Sequence, residues 1–260
     1  MKELTLAAPG IYRLVVPFLD IYTTIFLVET EEGWVVFDTA TYPEDMDNYL
    51  VPALRELGVE KPAWVVVSHN HRDHGGGLAR FAELFPETPI AAGSTACGVR
   101  VPGREVRVLA DGETLVGPLK AVMIPGHTAD AVGILDTRTN TLLSGDGLQL
   151  YGIYGSGAWG ANIGLIPEHL KAGEKLQGLN LQTILASHNY HPCDWRADGK
   201  EAVADYIAQC AKALRDIRAY TLAHPDQTPE EMAEAYNAAS GLPTVSSRIF
   251  KAAIEVITNY

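Results

Sequence analysis

The six residues from His69 to His74 constrain this chain more than any other stretch. Three imidazoles and the carboxylate of Asp73 follow an apolar run, Trp64–Val67, and precede three glycines. The apolar run predicts a buried strand that ends where the polar cluster begins. His69 and His71 are two residues apart and face the same way in an extended segment, and Asp73 and His74 face a neighbouring point one turn further on. Imidazole together with carboxylate is typical of a site for a divalent transition metal, most often zinc.

The composition is that of a globular protein and limits its partners. The chain has 260 residues, of which 47% are hydrophobic, and a net charge of −12. A chain of this length buries a sizeable core. Nucleic acids and anionic membranes are bound through basic faces, so we expect neither as a partner and expect a small-molecule substrate instead. The sequence leaves the oligomeric state open, including a homo-oligomer.

Neither the N-terminus nor the cysteine pattern indicates export. The first residues show no basic-then-apolar signal pattern, and no apolar run approaches the roughly 18–20 residues that cross a bilayer. Cys97, Cys193 and Cys210 are scattered and form no CxxC pair, so a disulfide framework is not expected. Together these features predict a cytoplasmic protein.

Strand patterns dominate the first two thirds of the chain, and helical patterns dominate its end. Apolar runs predict strands at 11–16, 23–28, 34–37, 64–67, 89–92, 106–109, 119–124, 132–135, 141–144 and 183–186. Helical periodicity predicts helices at 44–57, with a kink at Pro52, and at 77–84, 167–178, 199–219, 228–239 and 243–258. We expect residues 1–197 to form two β-rich layers flanked by helices. Residues 198–260 are expected to be a helical extension that packs on this core or forms a lid, within one domain overall.

Three later residues repeat the pattern of an apolar strand followed by a polar side chain. His127 follows the strand at 119–124, Asp146 the strand at 141–144 and His188 the strand at 183–186. Side chains at strand ends on one edge of a sheet converge on one rim. A single buried histidine is more often a hydrogen-bonded core residue, so the prediction depends on the joint occurrence of these residues.

The complete set of candidate ligands is too large for one tetrahedral zinc ion and suits two ions. The predicted division gives His69, His71 and His127 to one ion and Asp73, His74 and His188 to the other, with Asp146 and a shared water or hydroxide between them. His191 is the alternative to His188 as the last ligand.

The ordered motifs resemble the metallo-β-lactamase superfamily of hydrolases. The resemblance is carried by His69-x-His71-x-Asp73-His74, Gly126-His127, Gly145-Asp146 and Ser187-His188, and it covers roughly residues 10–190. It implies an α+β fold, a four-layer αββα sandwich with the metal ions at one edge.

An earlier strand end adds to the resemblance. Phe37-Asp38-Thr39 is similar to the superfamily's Asp-Thr-Gly element, with Ala40 in place of the glycine. The resemblance implies that Asp38 accepts a hydrogen bond from a ligand imidazole and fixes its tautomer. The alternative is a turn residue that caps the following segment.

The resemblance also narrows the chemistry, although the fold alone does not set the substrate. True β-lactamases of the superfamily lack an aspartate at the position of Asp146, so antibiotic hydrolysis is not expected. The set is closer to the glyoxalase II, lactonase and arylsulfatase-like branches. Redox diiron branches have glutamate where this chain has His71, which favours two Zn²⁺ ions and hydrolysis, with iron or manganese left open.

We therefore predict a dinuclear metal-dependent hydrolase in which a bridging hydroxide attacks a small ester, thioester or lactone. Asp73 and Asp146 would orient the nucleophile or relay a proton. The alternative is a metal-dependent phosphodiesterase that uses the same site. The acidic net charge disfavours nucleic acids as its substrates. A protein with structural metals, or a binding module, is a third hypothesis that the complete ligand set disfavours.

Residues 147–164 are rich in glycine and aromatic side chains and predict a functional loop. Tyr151 and Tyr154 are predicted to reach the reacting centre and Trp159 to line a pocket, the alternative being an aromatic loop packed on the sheet edge. The C-terminal helices carry basic residues that, by resemblance to glyoxalase II, would hold glutathione, the alternative being a solvated helix face. These residues are Lys200, Lys212, Arg215, Arg218, Arg248 and Lys251.

Overall fold

Two β-sheets form the centre of the molecule in the computed structural model, which describes residues 3–19, 21–153, 161–239 and 254–260. The first sheet contains, in spatial order, β1 (Glu3–Ala8), β2 (Ile11–Phe18), β3 (Ile21–Thr30), β4 (Gly33–Phe37), β5 (Trp64–Val67), β6 (Ile90–Ala92) and β7 (Val106–Val108). The second contains β8 (Thr114–Val116), β9 (Leu119–Met123), β10 (Val132–Asp136), β11 (Thr141–Gly145), β12 (Thr183–Tyr190) and β13 (Asp194–Asp198), which neighbour one another in this order. Both sheets are mixed, because β4 to β7 are parallel neighbours in the first and β11 and β12 in the second.

The ten predicted strands are confirmed, and three further strands were missed. The missed strands are β1, β8 and β13, each at the edge of a sheet. β12 was predicted to end at Ala186 but continues through His188 to Tyr190, where it pairs with Asp194. Short or polar edge strands carry little hydrophobic alternation, so their pairing shows only in the folded chain.

The core between the sheets is built from apolar side chains of both. Phe26, Phe37 and Val66 from the first sheet meet Leu143 and Leu185 from the second, and all five are fully or almost fully buried. Burying a side chain of this size contributes about 1.5–3 kcal/mol each. The alternation of these residues along their strands fixes which face of each sheet points inward.

Helices cover the outer face of each sheet. The first sheet is covered by α1 (Pro43–Asp45), a π-helical turn (Met46–Leu50), α2 (Val51–Glu56), α3 (Arg72–Gly75), α4 (Leu78–Leu84) and a 3-10 helix (Ala96–Arg100). The second is covered by α5 (Ile166–Gln177) and α6 (Lys200–Ala223), followed by α7 (Pro229–Ala239) and a helical turn at 254–258. The predicted αββα sandwich is therefore confirmed. Pro52 lies in the first turn of α2, directly after the π-helical turn, and the kink expected there stays a prediction.

The C-terminal helices pack on the second sheet. Tyr206 and Cys210 of α6 lie in the same buried cluster as Ile184 of β12. Ile254 and Ile257 pack against a neighbouring cluster on α6. The predicted helices at 199–219 and 228–239 are confirmed as α6 and α7, and most of the helix predicted at 243–258 lies outside the described residues. Over the described ranges, no helix has the length and apolar character that crossing a membrane requires.

The strand directions bring the candidate ligands to one edge of the sandwich. β4 and β5 are parallel, and their ends lead into Asp38 and His69. β9, β11 and β12 share one direction, because β10 is antiparallel to β9 and β11 and β11 is parallel to β12. The ends of these strands carry His127, Asp146 and His188.

Candidate metal centre

Close main-chain packing shapes the loop that carries the first histidines. The amide of Val132 donates to the carbonyl of Ser68 (2.9 Å), which joins the loop to the second sheet. The amide of Gly76 donates to the carbonyl of Ala40 (2.9 Å), and a Cβ at Gly76 would lie 2.0 Å from the carbonyl oxygen of Thr41. Only glycine permits this approach, which explains the glycine at position 76.

A similar restriction precedes Asp146. Gly145 has φ +52°, and a Cβ there would lie 2.7 Å from the Cβ of Ser68. Glycine adopts this left-handed conformation without strain. The turn at Gly145 therefore places Asp146 beside the histidine loop of the other sheet.

The first ligand group consists of three histidines. His69, His71 and His127 each offer a ring nitrogen, and these nitrogens lie within 4.8 Å of one another. Nε2 of His127 is 2.9 Å from Nδ1 of His71. His69 and His127 are buried and His71 is exposed, so this group lies at the mouth of the site.

The second ligand group combines two carboxylates with two imidazoles that are completely buried. Its ligand atoms also lie within 4.8 Å of one another. Oδ2 of Asp146 is 3.3 Å from Nε2 of His74 and 3.4 Å from Nε2 of His188. Oδ2 of Asp73 is 3.3 Å from the same nitrogen of His188. Oδ2 of Asp146 is also 3.8 Å from Nε2 of His127, so this carboxylate lies between the two groups.

Hydrogen bonds on the outer side of the rings set the direction of the ligand nitrogens. Nδ1 of His74 donates to Oδ2 of Asp38 (2.8 Å), as the sequence predicted. Nδ1 of His127 and Nδ1 of His188 each donate to a main-chain carbonyl at 2.6 Å, those of Asn162 and Tyr22. With Nδ1 bound on the outer side, Nε2 of each ring points inward and is the nitrogen available to a metal ion.

Ser68 extends this control to His69. Its hydroxyl donates to Oδ2 of Asp38 (2.9 Å), so its oxygen accepts from Nδ1 of His69 (3.0 Å). Asp38 thus orients His74 directly and His69 through Ser68. The orienting roles of Ser68, Tyr22 and Asn162 were not predicted from the sequence. Of the three, only Ser68 is recognisable there, as a hydroxyl residue directly before the candidate ligands.

The environment favours different charges on the imidazoles of the two groups. Burial lowers the pKa of His69 well below its usual range and the pKa of His127 to about 4, so both rings are neutral at pH 7. Burial acts the same way on His188, but the carboxylates of Asp146 and Asp73 outweigh it and raise its pKa to about 10. For Asp73, burial raises the pKa, but the neighbouring imidazoles outweigh it and lower the pKa to about 2.

The inward-facing atoms have no hydrogen-bond partners among the residues that the structure describes. This holds for Nε2 of His69, His74 and His188 and for Oδ1 of Asp146, which are all buried. Leaving a buried polar atom unpaired costs about 1–3 kcal/mol. Converging nitrogen and carboxylate donors of this kind fit divalent metal ions such as zinc. The role of these residues as metal ligands stays a prediction, which the proximity of their ligand atoms supports.

A comparison with protein-family models shows to which family the chain belongs. The model described as the metallo-beta-lactamase superfamily matches residues 20–202, well over half of the chain. The chain belongs to the metallo-beta-lactamase superfamily.

The curated relatives of this superfamily member include a hydroxyacylglutathione hydrolase and a thioesterase by name. Uncharacterized protein YobT of Bacillus subtilis is 31% identical over 153 residues, 49% of this chain and 62% of the relative. A hydroxyacylglutathione hydrolase of Pseudomonas putida is 32% identical over 173 residues, 61% of each chain. Atrochrysone carboxyl ACP thioesterase of Aspergillus fumigatus is 23% identical over 133 residues, 50% of this chain and 30% of the relative. The chain thus spans less than two thirds of the length of each of these relatives.

Solved structures of the superfamily share the fold over nearly the whole chain. A metallo-beta-lactamase family protein from Thermus thermophilus superposes with a TM-score of 0.68 at 20% identity, over 98% of this chain and 94% of that one. At this identity the likeness concerns the fold alone.

Among the predicted substrate residues of this superfamily member, Tyr151 contacts α6, and several others lie outside the described ranges. The hydroxyl of Tyr151 donates to the carboxylate of Asp216 and accepts from Nζ of Lys212 (3.1 Å), both on α6. Its catalytic role stays a prediction. The residues outside the described ranges are Tyr154, Trp159, Arg248 and Lys251.

His188 and its alternative have different surroundings. His188 lies in the second ligand group. His191 exchanges main-chain hydrogen bonds with Tyr151 and Gly152, and its ring centroid is 6.3 Å from that of Tyr151. Among the described residues, His188 therefore has the geometry of a ligand.

Proposed function

We propose that this protein is a dinuclear metal-dependent hydrolase, with zinc as the preferred metal, that cleaves a small ester, thioester or lactone. The observation that carries the proposal is the position of Asp146. One oxygen of its carboxylate lies 3.3–3.4 Å from imidazoles of the second group and 3.8 Å from His127 of the first. A carboxylate shared between two ligand groups suits a pair of adjacent ions.

Seven side chains would hold the two ions, three in the first group and four in the second. When bound, such ions lower the pKa of water and polarise a carbonyl oxygen. The ligands would be His69, His71, Asp73, His74, His127, Asp146 and His188.

The chain's own residues orient this site and hold protons. Asp38 keeps Nδ1 of His74 protonated, and through Ser68 it does the same for His69, so both rings present Nε2 to the centre. Asp73 is more accessible to solvent than Asp146, and its low pKa keeps Oδ2 ionised at neutral pH. A carboxylate with so low a pKa is a weak proton acceptor, so Asp73 would serve as an ionised ligand that orients the nucleophile.

The substrate class is inferred from the named activities of relatives. The hydroxyacylglutathione hydrolase and the ACP thioesterase both act, by name, on acyl compounds. The exposed position of His71 places the first group where a small carbonyl substrate can approach from solvent. Because the chain carries a net charge of −12, the two bound metal ions would be the main source of local positive charge. They would attract an anionic product.

Metal analysis and a substrate panel test the proposal. We expect about two zinc ions per chain after purification in zinc, and turnover of at least one thioester, ester or lactone that chelation abolishes. His69→Ala and Asp146→Asn should each lower kcat/KM by at least about 10³-fold, because each removes a ligand. His224→Ala is the matched control, since Nδ1 of His224 bonds the carbonyl of Tyr220 (2.9 Å) outside both groups. Fewer than one ion per chain, or turnover of phosphodiesters alone, would refute it.

A further inference from the structure

A buried amide side chain links segments of both ligand groups. The side chain of Gln149 is 3% exposed, and its Nε2 donates to the main-chain carbonyl of Asp146 (2.9 Å) and to the hydroxyl of Tyr190 (3.0 Å). Its Oε1 accepts from the amide of Asn162 (3.3 Å). Gln149 thereby uses both amide protons and its oxygen, which few other side chains can do.

Each partner of Gln149 is directly connected to a candidate ligand. Asp146 is itself the shared carboxylate. The carbonyl of Asn162 accepts from Nδ1 of His127 (2.6 Å), so it sets the direction of that ring. Tyr190 is two residues from His188 on β12 and therefore projects to the same side of the strand. One amide group thus contacts Asp146, the strand that carries His188, and the residue whose carbonyl orients His127.

The hydroxyl of Tyr190 is linked to the main chain of Asp146 through Gln149. Because this hydroxyl accepts from Gln149, its own proton is available for another acceptor. Oδ1 of Asp146 is buried and has no hydrogen-bond partner within the described part of the chain.

We propose that Gln149 and Tyr190 are positioning residues that hold Asp146 and His127 in a fixed relative orientation, and so set the geometry of the proposed two-metal site. Gln149 fixes the main chain of Asp146 and the carbonyl that orients His127. Tyr190 anchors the amide group of Gln149 through its hydroxyl. Neither residue belongs to the ligand groups, and both act through ligands. The inference rests on the proposed function.

Two substitutions remove these contacts with little change in volume. Gln149→Met keeps the length of the side chain and loses its three hydrogen bonds. Tyr190→Phe removes only the hydroxyl. Gln149→Glu keeps an acceptor for the amide of Asn162 but loses both donors. The chain offers matched controls in Gln182→Met and Tyr206→Phe. Gln182 is only partly buried, and the buried hydroxyl of Tyr206 has no hydrogen-bond partner among the described residues.

The experiment is a titration of metal-free protein with Zn²⁺ and Co²⁺. For Gln149→Met and Tyr190→Phe we expect the weaker of the two ions to bind about 10–100-fold less tightly, as for other residues that orient ligands. The visible spectrum of the Co²⁺ protein should change. The value of kcat should fall, whereas KM should stay within about twofold of the wild-type value. Gln149→Glu should behave like Gln149→Met. The two control variants should match the wild type in all three measurements.

The outcomes separate this inference from the proposed function. Wild-type protein that binds fewer than one ion per chain would overturn both. Two ions bound with wild-type affinity and spectrum in Gln149→Met and Tyr190→Phe would overturn this inference alone. A change of equal size in Tyr206→Phe would also overturn it, since any buried hydroxyl would then have the same effect. If Gln149→Met does not fold, Tyr190→Phe decides.

Discussion

Nδ1 of His74 donates a 2.8 Å hydrogen bond to Oδ2 of Asp38, and both side chains are completely buried. Asp38 accepts two more hydrogen bonds, from the amide of Ser68 (2.7 Å) and from its hydroxyl (2.9 Å). Three donors therefore converge on one carboxylate, which can satisfy all of them only because both of its oxygens are acceptors.

Asp38→Asn tests this arrangement without disturbing the backbone. Asp38 has φ +70°, a conformation that asparagine tolerates as well as aspartate. Asparagine has a single acceptor oxygen, so its NH₂ group must face at least one of the three donors. We expect zinc affinity to fall by about 10–100-fold, measured by competition with a chelator. Asp45→Asn is the control, because Asp45 accepts from the amides of Thr41 and Tyr42 and contacts no candidate ligand. Unchanged affinity in Asp38→Asn would contradict the role of this carboxylate.

Gly76→Ala tests the close main-chain packing behind the histidine loop. The new Cβ would lie 2.0 Å from the carbonyl oxygen of Thr41, so the loop or the segment after β4 must move. We expect the free energy of unfolding of the metal-free protein to fall by about 3 kcal/mol or more, measured by urea denaturation. Gly98→Ala is the control, because the nearest atom to its Cβ would be 3.6 Å away, and its effect should stay within about 1 kcal/mol. Equal effects of the two substitutions would contradict the argument.

The candidate ligand residues could be predicted because imidazole and carboxylate side chains can be recognised as metal-binding groups in the sequence. His127 and Asp146 each follow an apolar strand, and the direction of parallel strands brings such ends together. The residues that orient them were not predictable in the same way. The carbonyls of Tyr22 and Asn162 act through the main chain, which every residue possesses, so only the fold selects them.

The role of Gln149 could not be predicted from the sequence either, although it acts through its side chain. It lies three residues after Asp146 in a segment that reads as a glycine-rich loop. Its partners Asn162 and Tyr190 are distant in sequence, and β12 was predicted to end before Tyr190. A hydrogen-bond network that joins three separate segments has no sequence pattern of its own, because each partner is ordinary in its local context.

The reactivity of Cys193 should depend strongly on pH. Burial, helped by the charge of Asp205, raises the pKa of this thiol from 9.0 to about 11. The thiolate is the reactive form, so at pH 8 alkylation by iodoacetamide should be about 100-fold slower than for an ordinary thiol. Because the pKa is raised, the rate should increase about tenfold per pH unit between pH 8 and 10. Peptide mass spectrometry measures the rate, with glutathione in the same tube as the reference. Asp205→Asn should accelerate the reaction, and a rate at pH 7 equal to that of glutathione would refute the prediction.

Substitutions at Tyr151 and Asp216 can distinguish a structural from a catalytic role for the loop after Asp146. The hydroxyl of Tyr151 donates to the carboxylate of Asp216 on α6 and accepts from Lys212, so the tyrosine attaches its loop to that helix. We expect Tyr151→Phe and Asp216→Asn each to lower the free energy of unfolding by about 1 kcal/mol, and their double mutant to lower it by less than the sum. If attachment is the main role of the hydroxyl, both single variants should change kcat by similar factors, because both release the same segment. A fall in kcat of more than about tenfold in Tyr151→Phe, with wild-type turnover in Asp216→Asn, would instead support the catalytic role predicted from the sequence.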